Sequence, residues 1–252
     1  MNEIRGASIV LGASGDIGSC VARRLAAAGN AVTLASRPSE RLDELARELD
    51  APKIEIDATS VNDVGACFQE VRDQFGAVVA AVNCVGSVLL KPAHLTSEEE
   101  WQDTIATNLT SAFATVRAAG KAMARTGGSV VLMSSAAAQI GLPSHEAIAA
   151  AKAGVVGLAR SAAASYAPRQ IRVNVVAPGL VKTKLTQKIW ESERAADTSR
   201  SMHALGRLGE PDEVASLIEW LMSPANSWVT GEVFSIDGGL GNVRLNQRAA
   251  SS

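Results

Sequence analysis

Short apolar runs rich in β-branched residues alternate along this chain with longer, alanine-rich stretches whose apolar positions recur at helical spacing. The runs Ala7–Leu11, Ala31–Ala35, Lys53–Ile56, Val78–Asn83, Ser129–Met133, Arg172–Val176 and Val233–Ile236 read as strands. The stretches near 16–28, 38–49, 60–74, 97–124, 145–166 and 211–222 read as helices, the last opened by Pro211 in the favoured first turn. Strict alternation of the two predicts an α/β fold, a doubly wound seven-stranded parallel sheet with helices on both faces, forming a single domain over 1–239. The segment at about 183–205 fits no strand position and carries Leu185, Ile189, Trp190 and Met202, so it reads as a lid. The polar tail 240–252 is open to disorder or to subunit contacts.

In such sheets ligands lie beyond the carboxyl ends of the strands, which directs attention to the residues just after each one. The first strand runs into Gly12-Ala-Ser14-Gly15-Asp16-Ile17-Gly18 and then an apolar helix. Glycines let a backbone turn tightly against a pyrophosphate, and the helix that follows aims free amides and its positive dipole end at the phosphates. The strand-turn-helix context makes this a dinucleotide site rather than a loose glycine match. Asp16 facing inward would repel the pyrophosphate, so it is expected to point outward or to sit in the first helical turn, where negative charge is favourable. At the end of the second strand an NAD site places a carboxylate on the ribose hydroxyls, whereas this chain has Ser36-Arg37. Arginine offers a 2′-phosphate a planar charged fork and serine a hydroxyl, which selects NADP(H).

Between Ser134 and Lys152 the chain reads Ser-Ser-Ala-Ala-Ala-Gln-Ile-Gly-Leu-Pro-Ser-His-Glu-Ala-Ile-Ala-Ala-Ala-Lys. This resembles the catalytic stretch of the short-chain dehydrogenase/reductases, whose signature is Tyr-x-x-x-Lys placed after a catalytic serine. The resemblance extends to Asn83-Cys84-Val85-Gly86, Thr107-Asn108-Leu109-Thr110, Ile171 to Gly179, Leu205 to Pro211 and Asp237-Gly238-Gly239. It implies a Rossmann-type fold binding a nicotinamide cofactor. It further implies that Asp57 and Ala58 meet the adenine, that Asn83, Val85 and Gly86 form a bracing turn beside the cofactor, and that Pro178, Gly179, Val181 and Thr183 close over the nicotinamide and phosphates. Two departures stand out. The glycine turn follows Gly-x-x-Gly-x-x-Gly instead of the usual Gly-x-x-x-Gly-x-Gly, and the tyrosine position is Ile148.

Ser135, Lys152 and Asn108 fall where the family polarises the substrate oxygen, holds the nicotinamide ribose and orders a proton-relaying water. An isoleucine carries no proton, and a positioned acid/base is typically worth ~10²–10⁴-fold in rate. The sole tyrosine, Tyr166, lies about 27 Å further along the same predicted helix, by the rise of ~1.5 Å per residue. His145 shares a predicted helical face with Ile148 and Lys152 and is the candidate proton donor, directly or through a water it orders. An ordinary solvent-facing histidine at a helix start is the competing account. Glu146 falls about 100° away around the helix and is the weaker candidate.

The net charge of −2, with both signs scattered, gives no reason to expect a nucleic acid or an anionic membrane as partner. The basic cluster Lys182, Lys184 and Lys188 reads as the solvated side of a loop. Cys20, Cys67 and Cys84 are an odd set among apolar neighbours, which suits a reducing compartment and packed thiols rather than nucleophiles. With no separate leader and no apolar run near the ~18 residues of a membrane span, the expected location is the cytoplasm. No metal is expected. By resemblance, helices near 108–125 and 145–166 pair between subunits, giving a homodimer or homotetramer, and the alanine-rich Ala147–Ala151 and Ala162–Ala164 would allow close approach.

Three functions are compatible with this pattern. The leading one is an NADP(H)-dependent oxidoreductase acting on a carbonyl or secondary alcohol by an atypical proton route, on a small substrate with an apolar portion. A non-catalytic NADP(H)-binding or sensor protein on the same fold is the alternative. A lyase or isomerase is disfavoured because the nucleotide-binding pattern is kept while the acid is missing.

Overall fold

The computed structural model describes residues 6–244, so most of the tail assigned above lies outside the described residues. Seven parallel strands, β1 (Ala7–Leu11), β2 (Ala31–Ser36), β3 (Lys53–Glu55), β4 (Val78–Asn83), β5 (Gly128–Met133), β6 (Ile171–Pro178) and β7 (Val233–Ile236), lie in the order β3-β2-β1-β4-β5-β6-β7. The order reverses between β1 and β4, so the ends of those strands open the crevice in which such sheets bind ligands. Each strand falls on its predicted run, and β6 extends at both ends. Its fully buried residues pair with β5 as far as Val176 and with β7 as far as Pro178.

One face of the sheet is covered by α3 (Val61–Phe75), α5 (Ser111–Ala122) and α6 (Glu146–Tyr166), around a core that includes Ile9, Leu11, Phe68, Met123 and Leu132. The other carries α1 (Asp16–Ala27), α2 (Glu40–Leu49) and α9 (Pro211–Met222), around Val10, Leu25, Leu34, Leu42 and Ile218. Burial of such apolar side chains, each worth ~1.5–3 kcal/mol, holds the strand ends in register and so fixes the crevice.

The single helix expected over 97–124 is two helices, α4 (Glu98–Ile105) and α5, joined by a π-helical turn over Ala106–Thr110. The cause is local: Asn108 Nδ2 donates to the Thr104 carbonyl at 2.9 Å, taking an acceptor that the ladder would use. Such wide turns swing one side chain out of helical phase, here Asn108, which is buried. The lid has structure of its own, α7 (Gln187–Trp190) and α8 (Glu193–Met202).

One expectation is corrected. The stretch Glu146–Arg169 is long and apolar enough to cross a membrane by length and composition. It instead packs as a core helix, burying Ile148, Ala151, Val155 and Ala159. Ala147, Ala151, Ala162 and Ala163, among the small residues read as allowing close approach, are buried within the chain.

Candidate active site

Two glycines shape the turn after β1. Gly12 has φ of +77°, a left-handed conformation costly for other residues. A Cβ on Gly18 would stand 2.3 Å from the Gly12 carbonyl oxygen, so helix and turn can approach this closely only without a side chain there. The N-cap of α1 is Gly15, and no side chain caps the helix, leaving its first amides free of a side-chain acceptor. A cradle that a Cβ would fill, at an uncapped helix start, fits a phosphate group.

Asp16 is the first residue of α1 and does not face that cradle alone. Its carboxylate accepts from Arg41 at 2.6 Å and from the backbone N–H of Lys184 in the lid at 2.6 Å. Burial works against its ionisation, but these hydrogen bonds and the two positive charges outweigh it and hold the carboxyl below its ordinary range. Of the two placements expected from the sequence, Asp16 takes the first helical turn, held by partners that the sequence did not reveal. Ile17 follows, partly buried against the core below the turn.

Ser14 Oγ and Ser36 Oγ are 2.7 Å apart, joining the turn to the end of β2. Arg37 is exposed beside them. Asp57 accepts from the Thr59 amide at 2.9 Å and the Thr59 hydroxyl at 2.8 Å. Those bonds, with the charge of Arg37, hold its carboxyl below the usual range. Ala58 beside it is buried.

After β4, Asn83 Oδ1 accepts from the Val85 amide at 2.8 Å while its Nδ2 donates to Ser111 and Thr115 on α5. The turn is thereby pinned to the helix behind it. Gly86 packs where a Cβ would be 3.2 Å from Asn108 Oδ1 and 3.5 Å from Lys152 Nζ, which places those two groups together at the crevice floor. Asn108 accepts from the Ser87 amide at 3.1 Å and donates to Ser87 Oγ at 2.9 Å. Lys152 is buried, its Nζ donating to the Met133 carbonyl at 3.0 Å. Burial pulls its pKa down to about 8. Burial also pushes the Cys84 thiol up to about 12, against the pull of Lys152, so Cys84 is a packed thiol and not a nucleophile.

Ser135, at the end of β5, starts a short turn whose Ala137 amide it accepts at 3.2 Å. It lines a cavity of about 560 Å³ together with His145, Ile148, Pro178 and Gly179. Ile148 is buried in this wall, one helical turn before Lys152. His145 sits at the N-cap of α6 rather than on the helix proper. Its Nδ1 lies 2.7 Å from the Pro143 carbonyl, which can only accept, so Nδ1 carries a hydrogen and Nε2 is left as the exchanging position. Glu146 borders a separate small depression with Ser97 and Trp101 and does not line the cavity.

The lid residues divide. Ile189 and Met202 line the cavity, whereas Leu185 is exposed and Trp190 Nε1 donates to the Thr183 carbonyl at 2.9 Å. Val181 is buried and bridges to Gly209, and Thr183 caps the turn that begins the lid, accepting from the Thr186 amide at 3.3 Å.

Sequence reasoning missed His203, which is buried and also lines the cavity. The Leu180 amide donates to its Nε2 at 3.1 Å, so the hydrogen is on Nδ1, which donates to the Ser199 carbonyl at 2.6 Å. Both nitrogens are committed to joining α8 to the end of β6, which makes His203 a staple and leaves His145 as the cavity histidine with a nitrogen to spare. That the chain has only three histidines, one at the end of the lid, was the available signal.

The sequence family described as enoyl-(acyl carrier protein) reductase matches residues 12–241. D-Threitol dehydrogenase of Mycolicibacterium smegmatis is 33% identical over 238 residues, 92% of this chain and 91% of that protein. The 3-oxoacyl-acyl-carrier-protein reductase of Thermotoga maritima is 34% identical over 240 residues, 92% and 96% of the two chains. A solved short-chain type dehydrogenase/reductase from Mycobacterium ulcerans superposes with a TM-score of 0.90 at 30% identity, covering 93% of this chain and 89% of its own. This chain belongs to the short-chain dehydrogenase/reductase family. A single-substitution variant of actinorhodin polyketide ketoreductase, solved with NADPH, has the same fold, with a TM-score of 0.89 at 30% identity over 95% and 97% of the chains. As a short-chain dehydrogenase/reductase the protein has a nicotinamide dinucleotide as its expected cofactor, and the cradle of Gly12 and Gly18 fits its pyrophosphate.

Gly18→Ala is accordingly expected to cost ~1–3 kcal/mol of stability through overpacking against the Gly12 carbonyl. It should weaken NADPH binding by about 10-fold or more, each tenfold being ~1.4 kcal/mol. Chemical denaturation and titration of NADPH fluorescence measure the two effects separately.

Proposed function

We propose that this protein is an NADP(H)-dependent oxidoreductase that interconverts a carbonyl and a secondary alcohol by a proton route that avoids residue 148. The observation that carries the reading is the shared cavity wall of Ser135, His145 and Ile148, backed by Lys152 and Asn108 at the crevice floor. The NADPH-bound structural relative supports the cofactor, as do Ser36 and Arg37 at the end of β2. Arg41, one helical turn on, adds a second guanidinium to that region.

Residues of the turn Gly12–Gly18 would hold the pyrophosphate, and Ser14, Ser36 and Arg37 the 2′-phosphate. Asp57 and Ala58 would meet the adenine, with Asn83, Val85, Gly86, Lys152, Pro178, Gly179, Val181 and Thr183 around the nicotinamide half. When bound, the cofactor supplies a hydride to the carbonyl carbon, the C=O pair moving onto oxygen. Ser135 donates a hydrogen bond to that oxygen and stabilises its growing charge. A proton taken up from solvent at His145 Nε2, or carried by a water held there, completes the hydroxyl. Lys152, fixed by the Met133 carbonyl, would hold the ribose, and Asn108 fixes Ser87 and the loop beside it.

His145→Ala is expected to lower kcat for NADPH-dependent ketone reduction by ~10²-fold or more, with NADPH affinity retained. Steady-state kinetics over a panel of apolar ketones checks this, and an unchanged kcat would remove His145 from the mechanism. The three free thiols support a cytoplasmic location. A homodimer or homotetramer through α5 and α6 is supported by Phe113, which is 47% exposed on α5. Neither nucleic acid nor a membrane surface is part of the proposal.

A further inference from the structure

Three basic side chains around the lid are engaged by carboxylates, Lys182 by Glu210, Arg200 by Asp197 and Arg207 by Glu213, while Lys184 and Lys188, unpaired among the described residues, do not line the cavity. Arg194 is different. It has no ion-pair partner among the described residues, and it is the one formally charged residue lining the cavity of about 560 Å³. Most of that wall is apolar, including Val88, Leu90, Leu142, Ile148, Ile189 and Met202. The volume lies within the ~300–1,000 Å³ typical of a site that engulfs a small organic ligand.

The placement is sided. Arg194, Thr198 and Met202 recur at i, i+4 and i+8 along α8 and all line the cavity. Arg194 and Met202 are therefore about 12 Å apart along the cavity wall, on a helix rising ~1.5 Å per residue, with Thr198 between them. Arg194 is exposed, so its charge stays hydrated, while its fork remains available to a carboxylate in two parallel hydrogen bonds. A neutral apolar ketone would leave this fork unused; a dianionic phosphate would find no second cation on the wall.

We propose that the substrate is an amphiphilic monoanion, an oxo acid or the corresponding hydroxy acid, whose reacting carbon is separated from its carboxylate by an apolar chain, and that Arg194 holds that carboxylate. The inference rests on the redox reading of the same cavity. Reduction changes only the carbonyl, which gains a hydride at carbon and a proton at oxygen, and the carboxylate passes through unaltered.

The test compares 4-, 6- and 8-oxononanoate with uncharged 2-nonanone as substrates of the wild type and of Arg194→Gln and Arg194→Lys. At least one acid should exceed the ketone in kcat/KM by ~10-fold or more, a preference that Arg194→Gln removes mainly through KM and Arg194→Lys partly restores. An acid-to-ketone ratio that stays within about twofold after Arg194→Gln would overturn the proposal. Calorimetric binding of nonanoate to the NADPH-loaded protein supplies a readout without turnover. If no ketone is reduced yet nonanoate binding weakens on Arg194→Gln, the redox reading fails and the anion site stands. If nonanoate binding is absent or indifferent to Arg194, the anion site fails.

Discussion

Ile148→Tyr is expected to raise NADPH-dependent reduction of simple ketones by ~10²–10⁴-fold, the usual worth of a well-placed acid/base. The position is one helical turn before Lys152 on α6 and looks into the same cavity as Ser135. A phenol there would stand between the serine and an ammonium that favours its ionised form. The longer side chain has space, because Ile148 borders about 560 Å³ rather than packed core alone. Adding His145→Ala to the tyrosine variant sharpens the result. With a phenol in place, the histidine should become dispensable, so the double variant should keep most of the gain. A folded tyrosine variant, verified by its thermal transition, with no rise in kcat would show that Ser135 and Lys152 are not poised for proton transfer.

Lys152→Met is expected to abolish measurable turnover and, more unusually, to stabilise the protein by an amount that disappears as pH rises. The folded protein holds this ammonium at a pKa of about 8, against an ordinary 10.5. The unfolded chain therefore binds more protons between those values, and wild-type stability rises with pH across that window. Below about pH 8 both states are protonated and the burial penalty is fully present, on the order of 3 kcal/mol for a shift of this size at ~1.4 kcal/mol per pH unit. Methionine carries no charge, so the variant should be the more stable protein at pH 7 and lose that advantage by about pH 10.5. Paired urea titrations at pH 7 and pH 10 measure the difference, which cancels every other titrating group common to both chains. A constant difference across that range would mean that Lys152 is not held in a desolvated site.

The sheet was legible because β1, β2, β4, β5 and β6 are compact apolar runs buried along most of their length and spaced by helical stretches, while the edge strands β3 and β7 are only partly buried. The glycine turn was legible for a similar reason, since the geometry depends on consecutive residues: Gly12 needs its left-handed φ and Gly18 its missing Cβ. The π turn around Asn108 was not, because one side-chain hydrogen bond to Thr104 decides it and the apolar spacing on either side continues as if unbroken. His203 escaped notice because its role comes from Leu180 and Ser199, and only the packed lid brings the first of these to it. The alanines on α6 were legible only as a permission for close packing. Small residues permit close approach by any neighbour, and here most of the neighbours are within the same chain.

Asp16 joins Arg41 and the Lys184 amide across 168 positions of sequence, with its side chain only 21% exposed. The carboxylate thus ties the start of α1 both to α2 and to the lid. If the lid lifts, Asp16 loses an amide and holds Arg41 with less help; if Arg41 turns away toward an incoming phosphate, the lid loses part of its anchor. One acidic side chain thus links the glycine turn after β1 to the segment that lines the substrate cavity.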